Sequence, residues 1–289
     1  MTFRIIKKGV LEMKHQIRSL TGSVRSLALI VLILQLLAPL HTAFGLTAVD
    51  TTHRGVGILI DRDFSGMLFP DCSGILIAPQ VFLTAGHCTS SVKSWLNRGL
   101  SQAAYVSFDT QFTQNVSLVN VTDLVTHPDL NLAYNINNDT NDLGVVLLAT
   151  PVYDRPITRL PRADLLDSLR LQPGAPVTAV GYGVDSNDVH GAPSPGYRET
   201  FTGFRASGVL SYRALTPAFI MVTQLANQGS DNVCFGDSGG PDFVQIDGRE
   251  QLVAINVVVN SYSCEEVAWL YRLDTPKARA FLGQYVALP

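Results

Sequence analysis

The sequence as a whole has no excess of basic residues. Its 21 lysines and arginines stand against 24 acidic residues, so the formal net charge is −3. Nucleic-acid-binding domains carry a clear excess of basic charge, and we therefore expect no nucleic-acid partner. The sequence also lacks an acidic tail and a charged membrane-binding face.

The sequence has little that could span a membrane. The apolar run LALIVLILQLL at residues 27–37 is well short of the roughly 20 residues that a spanning helix needs, which disfavours a membrane anchor. The run follows six basic residues and precedes the small-residue pattern Ala43-Phe44-Gly45, an order typical of a secretory signal peptide. We predict that residues 1–45 are removed and that the mature chain is secreted and free of the membrane. Whether translation starts at Met1 or Met13 stays open.

Cysteines are few, and no C-x-x-C spacing occurs. The four are Cys72, Cys88, Cys234 and Cys264, and only His87 stands beside one of them. Structural zinc sites draw on closely spaced Cys and His residues, so we expect neither a metal nor another cofactor. An even number of cysteines in an exported chain favours disulfides. Of the three possible pairings, loop closure weakly favours 72 with 88 and 234 with 264.

Long helical patterns are scarce, and internal repeats and low-complexity segments are missing. From about Leu46 the chain consists of short apolar runs, rich in β-branched residues and ended by Gly, Pro, Asn or Asp. The predicted strands cover residues 57–60, 74–78, 81–83, 104–108, 116–121, 143–148, 177–180, 219–224 and 252–259. This pattern predicts an all-β barrel or sandwich. Helices are expected at residues 164–170 and after Thr275, which can cap a C-terminal helix that has Pro276 in its first position.

Two motifs carry residues suited to nucleophilic catalysis. Residues 83–88 read LTAGHC, and residues 234–241 read CFGDSGGP. A serine hydroxyl is a weak nucleophile until a base takes its proton, and histidine does this near neutral pH. Glycines beside a serine allow a tight turn in which backbone N–H groups face an oxyanion. The motifs therefore indicate Ser238 as nucleophile and His87 as general base.

These motifs resemble those of the chymotrypsin/trypsin family of serine proteases. TAGHC is similar to the family's histidine motif, GDSGGP matches its serine motif, and YRLDTPKARAFL is similar to the ending of bacterial members. The resemblance implies two antiparallel six-stranded β-barrels with a C-terminal helix. The first barrel would comprise residues 46–160, and residues 161–289 would form the linker, the second barrel and the helix. The resemblance also implies disulfides from Cys72 to Cys88 and from Cys234 to Cys264.

The serine proteases of this family use a Ser-His-Asp triad, and its third residue is predicted here from its order in the chain and its sequence context. In the family, an aspartate that orients the histidine opens a buried strand between the histidine and the serine. Asp142 stands directly before the apolar run LGVVLL at residues 143–148. Asp129 and Asp139 are the competing candidates, but both lie in loop sequence rich in Asn and Pro. We predict that Asp142 orients His87.

The resemblance implies roles for the neighbours of Ser238. The backbone N–H groups of Gly236 and Ser238 would form the oxyanion hole. Asp237 would pair with an α-ammonium group created by activation cleavage. No IVGG-like junction precedes Cys72, but cleavage after Gly45 would expose Leu46. The hypothesis is that removal of the signal peptide itself creates the activating terminus.

The substrate preference of trypsin does not carry over directly. Trypsin-like members place an aspartate six residues before the serine, where it holds Arg or Lys side chains. Asn232 occupies that position, with Asp231 one residue off. The pocket wall is expected at Val258, Val259 and Asn260, where the family often has Ser-Trp-Gly. We predict cleavage after a residue that is not strongly basic.

The sequence thus predicts a secreted, monomeric serine endopeptidase that acts on proteins or peptides and is open to proteinaceous inhibitors. The G-x-S-x-G pattern of α/β-hydrolases is excluded, because that fold needs a histidine after the serine and the last one here is His190. The order of catalytic residues in subtilisin, Asp-His-Ser along the chain, is compatible with the sequence, because aspartates precede His87. The strand-rich body disfavours the subtilisin fold. The remaining alternative is a catalytically silent homologue that acts as a binding module.

Overall fold

The computed structural model describes residues 46, 48–135, 137–184, 203–224, 231–260, 264 and 266–289. The predicted signal peptide, residues 1–45, lies outside these described residues, and so does His190. Within the described ranges, none of the helices has the length and apolar character needed to cross a membrane.

The described chain begins with a two-residue strand and then forms a closed antiparallel barrel. Its strands β2 to β7 pair in the order β2-β3-β4-β7-β6-β5, and β5 returns to β2. The strand β7 is apolar throughout, because one face lies in the barrel and the other packs on a helix that follows β4. The strands are β1 (Ala48–Val49), β2 (Val56–Arg62), β3 (Leu68–Ala78), β4 (Val81–Thr84), β5 (Ala103–Ser107), β6 (Val119–Thr126) and β7 (Gly144–Leu148).

A second barrel follows in the second half of the chain. Its strands are β8 (Pro176–Gly181), β9 (Ala206–Leu215), β10 (Phe219–Gln224), β11 (Pro241–Ile246), β12 (Arg249–Val259) and β13 (Glu266–Arg272). They pair in the order β9-β10-β13-β12-β11-β8, and β8 closes the ring on β9. The strand β1 adds to the outer side of β9, with Ala48 opposite Ser207. The N-terminal segment is therefore hydrogen-bonded to the second barrel although it precedes the first.

Three helices lie outside the barrels in the described ranges. They are α1 (Gly86–Asn97), α2 (Leu165–Leu169) and α3 (Pro276–Leu282). The Thr275 hydroxyl accepts a hydrogen bond from the N–H of Ala278 at 3.3 Å and caps α3. The predicted fold class, two six-stranded antiparallel barrels with a C-terminal helix, is confirmed. The division into units 46–160 and 161–289 stays a prediction.

Several elements differ from the sequence prediction. The strand expected at residues 116–121 begins at Val119 and continues to Thr126. Val116 is apolar because it is buried in the loop before the strand. The prediction missed β6 beyond residue 121 because its polar residues face solvent. It also missed α1, β9, β11 and the first part of β13. In α1 the buried face consists mainly of Cys88, Thr89 and Val92, which gives a weak apolar pattern.

Candidate active site

Two disulfides hold the segments that carry the two motifs. Cys72 on β3 is joined to Cys88 on α1, and Cys234 before the serine is joined to Cys264 before β13. This is the pairing that the sequence predicts. Among the described residues, the group Cys72, His87 and Cys88 has metal-ligand spacing. Because both sulfurs are committed to a disulfide, they are not thiolate ligands and the group does not suit a metal.

His87 is the second residue of α1, close to the end of β4. A side chain at Gly86 would place its Cβ 2.8 Å from the carbonyl oxygen of Leu143 and 3.1 Å from Oδ1 of Asp142. Glycine therefore lets the start of α1 approach the segment before β7. The N–H of His87 donates to Oδ1 of Asp142 at 2.7 Å, and Nδ1 of the ring lies 2.8 Å from Oδ2. A proton on Nδ1 leaves Nε2 unprotonated, the tautomer that a general base requires.

The Asp142 carboxylate is completely buried two residues before β7. Burial alone raises the pKa of this carboxyl, but the charge and hydrogen bonds of His87 and the hydroxyl of Tyr134 outweigh burial and lower it below its usual value. Asp142 therefore stays ionised, which is what the orientation and charge stabilisation of His87 require.

Neither of the competing aspartates is hydrogen-bonded to His87 through its carboxylate in the described chain. The Asp139 carboxylate accepts a hydrogen bond from the hydroxyl of Tyr271 at 2.7 Å and pairs with Lys277 at 3.2 Å. The N–H of Asp129 donates to Nδ1 of His127 at 3.1 Å. Among the described carboxylates, Asp142 is the one that is hydrogen-bonded to His87.

Ser238 lies in a turn that is built on glycines. Gly236 and Gly239 have φ values of +96° and +78°, in the left-handed region that glycine adopts readily. The carbonyls of Gly236 and Ser238 accept hydrogen bonds from the hydroxyl and the N–H of Ser73, at 2.8 and 2.9 Å. Among the described residues, the N–H groups of Gly236 and Ser238 have no acceptor. These two N–H groups are therefore available to an oxyanion.

A cavity of about 390 Å³ has both His87 and Ser238 in its lining. No hydrogen bond joins Nε2 of His87 to Oγ of Ser238 in this structure, a common state of sites without substrate. The first barrel contributes Ser91, Leu132 and Tyr134 to the lining. The second barrel contributes the serine segment and the end of β12, including Val233, Val257, Val258 and Val259.

The predicted pocket residues divide into two groups. Val258 and Val259 line the cavity, whereas Asn232 and Asn260 do not. Asn232 is completely buried, and its side-chain amide has no hydrogen-bond partner among the described residues. Asn260 is exposed at the end of β12. The carboxylate of Asp231 accepts from the N–H of Val209 at 2.7 Å, so it is directed to β9.

Asp237 is buried behind Ser238. Burial raises the pKa of its carboxyl to about 7, although the N–H groups of Cys234 and Gly183 donate to the two oxygens at 2.9 and 2.8 Å. Leu46 packs against the hydrophobic cluster of the second barrel. The pairing of Asp237 with a new α-ammonium group at Leu46 stays a prediction.

Two residues near the site were missed by the sequence analysis. Asp242 is a second fully buried carboxyl, and burial together with the charge of Asp237 raises its pKa well above the usual value. Its position directly after GDSGGP was the available clue. Tyr134 donates its hydroxyl to Oδ2 of Asp142. It stands in an Asn-rich loop with no local pattern that points to the site.

The chain matches the model of one protein family, described as Trypsin, over residues 59–270. No curated protein matches the sequence. The matched range covers more than half of the chain and contains both motifs, Asp142 and both disulfides. The chain therefore belongs to the trypsin family.

Proposed function

We propose that this protein is a secreted serine endopeptidase with Ser238, His87 and Asp142 as its triad. The observation that carries the proposal is the buried Asp142 carboxylate, hydrogen-bonded to His87 at a cavity that Ser238 also lines. Membership in the trypsin family suggests peptide-bond hydrolysis. Two disulfides suit an oxidising compartment outside the cytoplasm, which supports secretion.

In the proposed reaction, Oγ of Ser238 attacks the scissile carbonyl carbon while Nε2 of His87 takes the hydroxyl proton. The Asp142 carboxylate keeps Nδ1 protonated and stabilises the imidazolium ion. The N–H groups of Gly236 and Ser238 donate to the oxyanion, a contribution worth on the order of 3 kcal/mol for each donor. His87 then protonates the leaving amine, and water attacks the acyl-enzyme by the reverse proton transfers. No cofactor takes part.

We further propose that the residue before the cleaved bond is neutral. Among the described residues, the lining of the cavity beside Ser238 includes four valines and no carboxylate, and none of these residues could neutralise a lysine or arginine. Protein and peptide substrates are expected to bind the monomer there, and proteinaceous inhibitors would compete for the same cavity. A peptide-library cleavage profile tests this, and dominant cleavage after Arg or Lys would contradict it.

Activation is proposed to follow from removal of the signal peptide. The buried Asp237 and Asp242 carboxyls have no ion-pair partner among the described residues. An α-ammonium group at Leu46 would supply a positive charge to Asp237. N-terminal sequencing of the secreted active protein tests this hypothesis, and any start other than Leu46 would contradict it.

A fluorophosphonate probe tests the proposed activity. Such a probe phosphonylates only a serine whose proton is taken by a base and whose oxyanion is stabilised. We expect labelling of the wild type at Ser238, and no labelling of the S238A variant. The exposed Ser65 provides the matched control S65A, which should label like the wild type. Absence of wild-type labelling would favour the alternative, a silent homologue that binds partners.

A further inference from the structure

Tyr134 connects the cavity to the buried carboxylate of the triad. Tyr134 is one of the residues that line the cavity shared by His87 and Ser238. Its hydroxyl donates a hydrogen bond to Oδ2 of Asp142, the same oxygen that lies 2.8 Å from Nδ1 of His87. One oxygen of the carboxylate therefore serves both the phenol and the imidazole.

The hydroxyl of Tyr134 is a dependable donor. Burial and the neighbouring Asp142 charge raise the pKa of the phenol, so the hydroxyl keeps its proton near neutral pH. Asp142 receives three hydrogen bonds from described residues: two from His87 and one from Tyr134. Loss of the phenol would leave one donor for each oxygen and concentrate the negative charge on the side that faces the imidazole.

The loop that carries Tyr134 is fixed at its ends. The N–H of Asn131 donates to the carbonyl of Thr140 at 2.8 Å, which closes the base of the loop. Asp139 is held by the hydroxyl of Tyr271 on β13 and by Lys277 on α3. Asp139, Tyr271 and Lys277, together with His87, are the titratable groups that surround Asp142 and Tyr134 in the described chain. These contacts hold the two ends of the loop from which the phenol of Tyr134 reaches Asp142.

We propose that Tyr134 is a positioning residue, whose hydroxyl holds the Asp142 carboxylate and sets how strongly that carboxylate binds the His87 ring. This inference rests on the proposed peptidase function. The catalytic steps remain those of Ser238 and His87, and Tyr134 acts on them through Asp142. Tyr134 also lines the cavity, together with Ser91 and Leu132.

The Y134F variant tests the proposal because it removes the hydroxyl and keeps the ring. We expect kcat to fall about tenfold, the scale of a hydrogen bond to a charged group, with KM for a short ester substrate unchanged. The acid limb of the kcat/KM profile should move to higher pH, because a carboxylate that no longer shares its charge with the phenol binds the imidazolium more tightly. The proton NMR signal of the His87 Nδ1–H should shift as well.

Two variants serve as controls. Leu132 lines the same cavity from the same loop but makes no hydrogen bond to Asp142, so L132A should raise KM for extended peptides and leave the acid limb in place. Tyr153 is 77% exposed, and Y153F should match the wild type in every readout. If Y134F, like L132A, changes only KM, the proposal is wrong. It is also wrong if Y134F has the kcat and the pH profile of the wild type.

Failure to fold and failure of the proposed function can each be recognised. Thermal unfolding reports whether Y134F is folded. If it is not, site-specific replacement of Tyr134 by 3-fluorotyrosine supplies a stronger hydrogen-bond donor. The acid limb of the kcat/KM profile should then move to lower pH, and an acid limb that does not move overturns the proposal.

Absence of fluorophosphonate labelling in the wild type would instead refute the peptidase function. The Nδ1–H signal would still test the hydrogen bond from Tyr134.

Discussion

Asp237 in the serine turn and Asp242 on β11 are two buried carboxyl groups. The Asp242 carboxylate has no hydrogen-bond donor in good geometry among the described residues, although the amide of Asn256 lies beside it. Burial of an unpaired charge is costly, so the folded protein favours the protonated form of Asp242.

The D242N variant tests this cost by its pH dependence. A carboxyl whose pKa is raised on folding loses stability as pH rises from the usual value near 3.8 through the folded value. We therefore expect D242N, made in an S238A background to prevent autolysis, to raise the Tm by about 4 °C at pH 7.5 and by little at pH 4. The exposed Asp154 gives the control D154N. Equal destabilisation by D242N at both pH values would contradict the account.

At the scale of elements, His53 ties the segment between β1 and β2 to the second barrel. Its Nδ1 lies 2.6 Å from Oδ2 of Asp50, and its Nε2 lies 2.9 Å from Oε2 of Glu250 at the start of β12. The ring also stacks on Phe243. Burial lowers the pKa of His53, but the two carboxylates outweigh burial and raise it above the usual value. The charged imidazolium thus joins two elements that are far apart in sequence.

The H53Q variant tests this connection. A histidine with a raised pKa contributes stability that is present below the unfolded value near 6.5 and is lost as pH rises through the folded value. We expect H53Q to lower the Tm at pH 5.5 by about 3 °C and to have little effect at pH 9, as measured by thermal unfolding. A larger loss at pH 9 than at pH 5.5 would show that the ion pairs do not account for the role of His53.

The elements also show what the sequence could predict. The strand β7 was predictable because its residues are apolar on both faces, and α3 because Thr275 and Pro276 mark its start. The helix α1 was not, because its fold depends on the disulfide at Cys88 and on packing against β6 and β7 rather than on periodicity. The two sequence motifs were sufficient to predict Ser238 and His87 as site residues. The contact of Tyr134 with Asp142 depends on a loop conformation that no local pattern encodes.

At the scale of the whole molecule, Ser73 joins the two barrels at the site. It lies on β3 of the first barrel, and its N–H and hydroxyl donate to the carbonyls of Ser238 and Gly236 in the serine turn. Its hydroxyl also accepts from the N–H of Tyr182, just after β8. One buried side chain of the first barrel thereby holds the backbone of Ser238, the proposed nucleophile.

The S73A variant tests the importance of this contact. Loss of the hydroxyl leaves the carbonyl of Gly236 without its donor, so the adjoining N–H groups should be less well aligned with an oxyanion. We expect the rate of fluorophosphonate labelling to fall about fivefold, the scale of one neutral hydrogen bond, while the S65A control labels at the wild-type rate. An unchanged labelling rate in folded S73A would show that the turn keeps its geometry without Ser73.

The central claim is that Ser238 is the nucleophile of a peptidase, and one comparison tests it most directly. The purified secreted protein and its S238A variant are assayed on an unfolded generic protein substrate, with thermal unfolding used to show that both are folded. The account predicts hydrolysis by the wild type and none above background by S238A. Hydrolysis retained by folded S238A, or no hydrolysis by the wild type, would contradict it.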